Sequence, residues 1–252
     1  MYIDTHCHIF LEYYDNIDEI IERAVDCNVK RIIVNGCDMK SNMQVLDLVK
    51  KYDIVYGALG IQPEELDDFN DISLNFIEKH INDDKIVAVG EIGLDYHYDT
   101  DRKKQKELFR RQLDLAVKYS KPVIIHSRDC IKETYDILKE YSKKDLKGVL
   151  HCFSGSKEMA IEFNKIGFYI GIGGVSTFKN AKEIVEVIKN VSLEYIVLET
   201  DSPYLTPVPF RGKKNEPSFI PIIAERVAEI RNLDIKEIEK VTFENARRLF
   251  DF

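Results

Sequence analysis

Six ionisable side chains carry most of the chemistry legible in this sequence. His6 and His8 close the first apolar run of the chain, and Glu91, His126, His151 and Asp201 stand at the ends of later runs. Side chains alternate across a strand, so His6 and His8 face one way and Cys7 the other. Two imidazoles at i and i+2, joined by imidazoles and carboxylates from other strands, make a metal constellation. Neutral imidazole with carboxylate suits Zn²⁺, Mn²⁺ or Fe, whereas more carboxylate and water shift the preference toward Mg²⁺ or Mn²⁺. Any one of these histidines, taken alone, reads equally well as a half-buried core residue. Six ionisable groups sharing one mouth do not, because burying that much charge is costly without a cation.

Such a set has to be delivered by elements that end at one place. The candidate strands are Tyr2–His8, Arg31–Asn35, Ile54–Ile61, Ile86–Glu91, Pro122–His126, Gly148–Cys152, Phe168–Gly173 and Tyr195–Asp201. Each is short, rich in Ile and Val and apolar at nearly every position, as in a parallel sheet covered on both faces. Amphipathic patterns lie between them: Ile17–Cys27, Ser41–Lys51, Asp101–Tyr119, Ile131–Ser142, Ser156–Ile166 and Ala181–Asn190. Ser41 and Ser156 are expected to cap their helices, since a hydroxyl accepts an unpaired N–H of the first turn. Two more helices, near Pro221–Asn232 and Ile235–Phe250, would cover the outside or one end. Strands alternating with helices suggest a (β/α)₈ TIM barrel, with catalytic groups at the C-terminal strand ends. An open doubly wound sheet gives a similar alternation.

The chain of 252 residues suits one barrel domain spanning residues 1–252, and no Gly/Ser linker, repeat or composition shift divides it. Thirty-six Lys and Arg against 44 Asp and Glu leave a net charge of −8. That balance argues against coating nucleic acid by bulk charge but leaves room for a local phosphate site. No run approaches the ~18 apolar residues of a membrane span. The N-terminal segment lacks the basic start and apolar core of a signal peptide, and five widely spaced cysteines form no Cys-x-x-Cys pair. Reduced thiols and a cytoplasmic location are expected.

Five segments together carry a family resemblance: His6-Cys7-His8, Gly90-Glu91-Ile92-Gly93-Leu94-Asp95, Pro122-Val123-Ile124-Ile125-His126-Ser127-Arg128, His151-Cys152-Phe153-Ser154-Gly155 and Glu199-Thr200-Asp201-Ser202-Pro203-Tyr204-Leu205. In this order and spacing they resemble the TatD family of metal-dependent deoxyribonucleases, from the first residues to Asn245-Ala246-Arg247. The resemblance implies a (β/α)₈ barrel of the amidohydrolase-like group and two divalent ions, Mg²⁺, Mn²⁺ or Zn²⁺. It implies hydrolysis of DNA, including 3′→5′ exonuclease action. Carried over residue by residue, His6, His8 and Asp201 would hold one metal, and Glu91 would bridge to a second held by His126 and His151. Asp201 would also orient or deprotonate the attacking water. A carboxylated lysine bridges the metals in several amidase relatives; Glu91 at this position points to the nuclease branch. DNA, single-stranded or at ends, is the expected substrate, with no membrane and no obligate protein partner.

The family commonly has Gly-Ile-His-Pro after strand three, where this chain has Gly60-Ile61-Gln62-Pro63. Gln62 still hydrogen-bonds a phosphate or water but cannot be protonated and is a poor metal ligand, so a reduced rate or altered substrate preference is expected. Outside the metal set, Arg128 after strand five and Arg211 in the loop Thr206–Pro217 are candidate phosphate contacts. His97, after strand four, is a candidate substrate contact. Glu199 is read as supporting or joining the metal set, Asp4 as structural, and His80 as helix surface. Gly171-Ile172-Gly173-Gly174 is a weak candidate for backbone contacts to phosphate, near the barrel's common phosphate position. Cys7 and Cys152 are read as buried small apolar residues facing the helix layer, and Arg247 and Arg248 as surface ion-pair formers. The same metal chemistry would serve an ester or amide hydrolase such as a D-aminoacyl-tRNA deacylase. A non-catalytic nucleic-acid-binding protein with a structural metal is a third reading.

Overall fold

The apolar runs form eight strands, all paired in parallel in chain order. The computed structural model describes all 252 residues. The strands are β1 (Tyr2–Cys7), β2 (Val29–Asn35), β3 (Val55–Leu59), β4 (Ile86–Asp95), β5 (Val123–Arg128), β6 (Gly148–Leu150), β7 (Phe168–Ile172) and β8 (Ile196–Leu198). Between and after them run α1 (Ile17–Asp26), α2 (Met39–Lys51), α3 (Asp71–His80), α4 (Arg102–Lys118), α5 (Ile131–Ser142), α6 (Lys157–Lys165), α7 (Lys182–Asn190), α8 (Ile220–Arg231) and α9 (Ile235–Phe250). This is a (β/α)₈ barrel.

The first and last strands meet through few but buried contacts. His8 N–H donates to Ser202 O at 2.7 Å and Asp201 N–H to His6 O at 2.9 Å. The Asp4 carboxylate spans the same seam, accepting from Thr200 N–H at 2.9 Å and the Thr200 hydroxyl at 2.5 Å. The structural role expected of Asp4 is thus visible as a staple between β1 and the segment after β8.

Alternation divides the apolar residues into two cores. Ile32 and Val34 of β2, Val123 and Ile125 of β5, and Ile196 and Leu198 of β8 pack outward against the helices. Ile33, Ile124 and Val197, between them, fill the barrel interior with Ile3, Val149 and Tyr169. Each such side chain removed from water contributes roughly 1.5–3 kcal/mol. Ala246, Leu249 and Phe250 of α9 complete the inner cluster, so the last helix closes one end of the barrel. Arg248 belongs to that plug, donating to the Tyr169 hydroxyl at 2.9 Å, and forms no ion pair; Arg247 does pair, with Glu244 at 3.4 Å.

Several boundaries differ from those expected. β4 runs four residues past Glu91, and β5 includes Arg128, whereas β6 stops before His151 and β8 before Glu199. Buried polar and charged residues at these ends leave the ladder to follow the site. The cap of α2 is Asp38, whose carboxylate accepts from Ser41 N–H at 2.6 Å; Ser41 is the reciprocal member of a capping box. Ser156 caps α6 as expected. The sequence periodicity did not single out α3.

Candidate metal centre

Local irregularities in β1 and β4 aim the site residues. Ile3 points into the barrel interior and Cys7 into the outer core, although residues four apart on a regular strand share a face. The register with β2 shifts between Asp4 and Cys7, and this shift turns His6 and His8 inward. Cys7 faces the helix layer, as expected. Glu91 sits within β4, where the register with β5 shifts between Val89 and Ile92. Two residues on, Gly93 takes φ +151°, and a Cβ there would lie 2.0 Å from the His126 carbonyl oxygen, so only glycine lets β4 approach β5 so closely. Asp201 adopts a left-handed backbone, φ 54°, which a short Asp tolerates.

The side chains converge. His6 Nε2 lies 3.0 Å from His8 Nε2, 3.6 Å from Glu91 Oε2 and 3.5 Å from Asp201 Oδ1. His8 Nε2 lies 3.4 Å from Glu91 Oε2 and 3.7 Å from Asp201 Oδ1. Donors around one Zn²⁺-sized ion at ~2.1 Å stand roughly 3.4 Å apart, and the His6, His8 and Asp201 atoms, mutually 3.0–3.7 Å apart, match that spacing. The other Glu91 oxygen, Oε1, is 2.9 Å from both His126 Nδ1 and His151 Nε2, and those nitrogens are 3.1 Å apart. Glu91 therefore presents one oxygen to each of two donor sets. The His6 and His151 rings stack at 3.9 Å, and their Nδ1 atoms are buried with no hydrogen-bond partner.

The electrostatics follow from packing anions and imidazoles together. Burial alone would raise the Glu91 carboxyl, but the His151 and His126 imidazoles hold it well below the usual range. Burial likewise opposes ionisation of Asp201, and the His6 hydrogen bond and neighbouring imidazoles outweigh it, lowering its pKa. Burial pushes His6 down to about 4, which keeps it a neutral donor. For His126 the penalty of burial is overcome by Asp95 and Glu91, and its pKa rises to about 10. The ionised Glu91 and Asp201 carboxylates and the neutral His6 imidazole are donors that suit a divalent ion, and an ion bound beside His126 would displace its added proton.

Two contributors escaped sequence reasoning. Asp95, at the end of β4, places Oδ2 2.9 Å from His126 Nε2 and so orients the imidazole whose other nitrogen faces Glu91. Its signal was its position on the same strand and with the same parity as Glu91. Cys37, just after β2, brings its sulfur 3.6 Å from Glu91 Oε2 and 3.5 Å from His8 Nδ1. Its only mark in the sequence was a place at a strand's C-terminal end.

The remaining candidates lie around this centre. Gln62 lines a cleft with His8 and Cys37. Arg128 is exposed, its guanidinium 5.6 Å from the Tyr98 ring centre, and His97 faces Asp129 at 3.3 Å. Arg211 stacks on Phe178 at 4.0 Å and has no contact with the metal set. Glu199 is buried; it accepts the Cys152 N–H at 2.5 Å, next to His151, and burial raises it to about 8. Cys152 lies in a turn, half-buried at φ 43°, not on a strand face looking at the helices. The Gly171–Gly174 run is packed against Glu199 and Leu205, with no open anion cradle. His80 sits at the end of α3 beside Asp83.

The family model described as TatD related DNase matches residues 3–251. An uncharacterized metal-dependent hydrolase of Bacillus subtilis, YabD, is 44% identical over 252 residues, covering 99% of each chain. Another of Escherichia coli, YcfH, is 35% identical, covering 98% of this chain and 95% of its own. The crystal structure of YJJV, a TatD homolog from Escherichia coli, superposes with a TM-score of 0.94 at 34% identity, covering 100% of this chain and 98% of that one. No helix is long and apolar enough to cross a membrane.

Proposed function

The chain belongs to the TatD-related DNase family and is a metal-dependent hydrolase; on that premise we propose that it hydrolyses phosphodiester bonds of DNA, as an exonuclease working from 3′ ends. The observation that carries this reading is the two-sided placement of Glu91, with Oε2 toward His6 and His8 and Oε1 toward His126 and His151. His6, His8, Asp201 and Glu91 would hold one divalent ion, and Glu91, His126 and His151 a second. When bound, paired ions neutralise the non-bridging phosphate oxygens, activate water and stabilise the leaving oxygen.

The protein supplies the rest. Glu91 fixes the separation of the two donor sets through one rigidly held carboxylate. Asp201, ionised at neutral pH, accepts the proton of the attacking water and hands it outward at the half-buried mouth. The His6 and His8 nitrogens face Asp201 Oδ1 at 3.5 and 3.7 Å. Arg128 and Gln62, at the rim, are the proposed contacts to the remainder of the substrate.

The test begins with the metal content of the purified protein, by mass spectrometry, and continues with end-labelled single-stranded DNA. A ladder of products that EDTA abolishes and added Mg²⁺ or Mn²⁺ restores is the expected result. Undiminished cleavage by a Glu91→Ala/His151→Ala double variant would overturn the two-metal assignment. Hydrolysis of an aminoacyl ester with DNA left intact would instead assign the centre to carbonyl chemistry.

A further inference from the structure

We propose that Tyr204 is the stacking platform for the nucleobase next to the scissile phosphate, in a cleft that accepts a neutral base and rejects a further phosphate. This rests on the reading of the chain as a DNA phosphodiesterase.

The cleft, about 230 Å³, opens directly beside His8 and is walled by Tyr204, Tyr13, Gln62, Asp38 and Glu65. It is smaller than the roughly 300–1,000 Å³ sites that take drug-sized ligands. Its charge is acidic: Glu12, Asp38 and Glu65 face it, and its one cation, Lys40, is already paired with Glu12. A second phosphate would meet like charge there. An uncharged base would not, and the Gln62 amide and the Glu65 carboxylate offer hydrogen-bonding groups to its edge.

The aromatic geometry supplies a face. Tyr204 is 49% exposed. It touches His8 at 6.4 Å and 60° and Tyr13 at 5.9 Å and 69°, both edge-on, and no ring stacks on it. Its hydroxyl donates to the Tyr13 hydroxyl at 3.0 Å. Its N–H donates to Asp201 O at 2.9 Å, and its carbonyl accepts from the buried Asn215 amide at 2.6 Å. The ring is therefore fixed relative to Asp201 before substrate arrives. Tyr98, the other exposed tyrosine at the rim, differs: the Arg128 guanidinium and the edge of His97 already engage it. A base stacked on Tyr204 must leave its duplex, which favours single strands and frayed ends.

Base–aromatic stacking strengthens binding by about tenfold per base. Wild type, Tyr204→Phe and Tyr204→Leu would be compared on tetradeoxyadenylate and on the same backbone bearing abasic sites. In wild type and Tyr204→Phe the base-bearing strand should be favoured about tenfold in kcat/KM, through KM; Tyr204→Leu should bring the two substrates within a factor of about two. The chain contains no tryptophan, so Tyr204→Trp creates a single reporter at the platform. A phosphorothioate tetradeoxyadenylate should quench its fluorescence, and the abasic strand should not. Full discrimination retained by Tyr204→Leu, or equal quenching by both strands, overturns the proposal. Failure of wild type to cleave either strand overturns the phosphodiesterase reading instead, and the fluorescence comparison then decides the role of Tyr204 by itself.

Discussion

Glu91 is useful because its carboxylate cannot rotate away. His151 and His126 hold one oxygen at 2.9 Å each, while the other faces the His6 and His8 nitrogens at 3.4–3.6 Å. The same logic extends one residue outward to Asp95, which grips His126 by the nitrogen not facing Glu91. Asp95→Asn keeps the shape and removes the charge. The variant is expected to weaken metal affinity by about 10–100-fold, with the fold intact, as outer partners of metal-bound histidines generally do. Metal titration followed by calorimetry reads this directly; an affinity equal to wild type would mean that Asp95 only packs.

At the scale of elements, the segment after β8 is the one on which the centre most depends. It leaves regular structure at Leu198, then supplies Asp201 and Tyr204 within six residues. Asn215, in the loop that returns from it, replaces the missing ladder: its buried side-chain amide donates to Thr200 O at 2.8 Å and Tyr204 O at 2.6 Å. Tyr14 adds a bond from its hydroxyl to the Asn215 carbonyl at 2.6 Å. Asn215→Ala leaves two carbonyls unpaired and should cost about 2 kcal/mol, a fall in Tm of roughly 4–8 °C for a chain this long. Activity measured well below the new Tm should fall as well, because the carboxylate of Asp201 loses its support. A variant that melts lower yet turns over normally would separate the loop's folding role from any role in the site.

Over the whole molecule, stability and chemistry sit at opposite ends of the barrel. Ala246, Leu249 and Phe250 of α9 fill one end against the inner residues of the strands, while the metal set gathers toward the opposite, C-terminal end of the barrel, on and just after the strands. Leu249→Ala is expected to destabilise by about 2–5 kcal/mol in denaturant unfolding and to leave divalent-metal affinity at its wild-type value. A large loss of metal affinity in that variant would show that the two ends are coupled. The net charge of −8 acquires a meaning under the proposed function: two divalent ions would add +4 at the centre, and DNA capture is then expected to depend steeply on metal. By itself the sequence determined the alternation of strands and helices and the identities of the ionisable residues, because alternation and strand-end position are local properties that a chain displays in its residue order; closure of the sheet into a barrel came only with the pairing of its two ends. It also determined that α9 would cover an end or a side, since one amphipathic stripe demands a partner. Only the tertiary structure decided that the stripe plugs the barrel, that Glu91 faces two ways, that Asp95 and Cys37 reach the metal set, and that Asn215 ties down the segment carrying Asp201. Those outcomes depend on register shifts in β1 and β4, and on bringing residue 6 against residue 201. No local pattern encodes such long-range contacts.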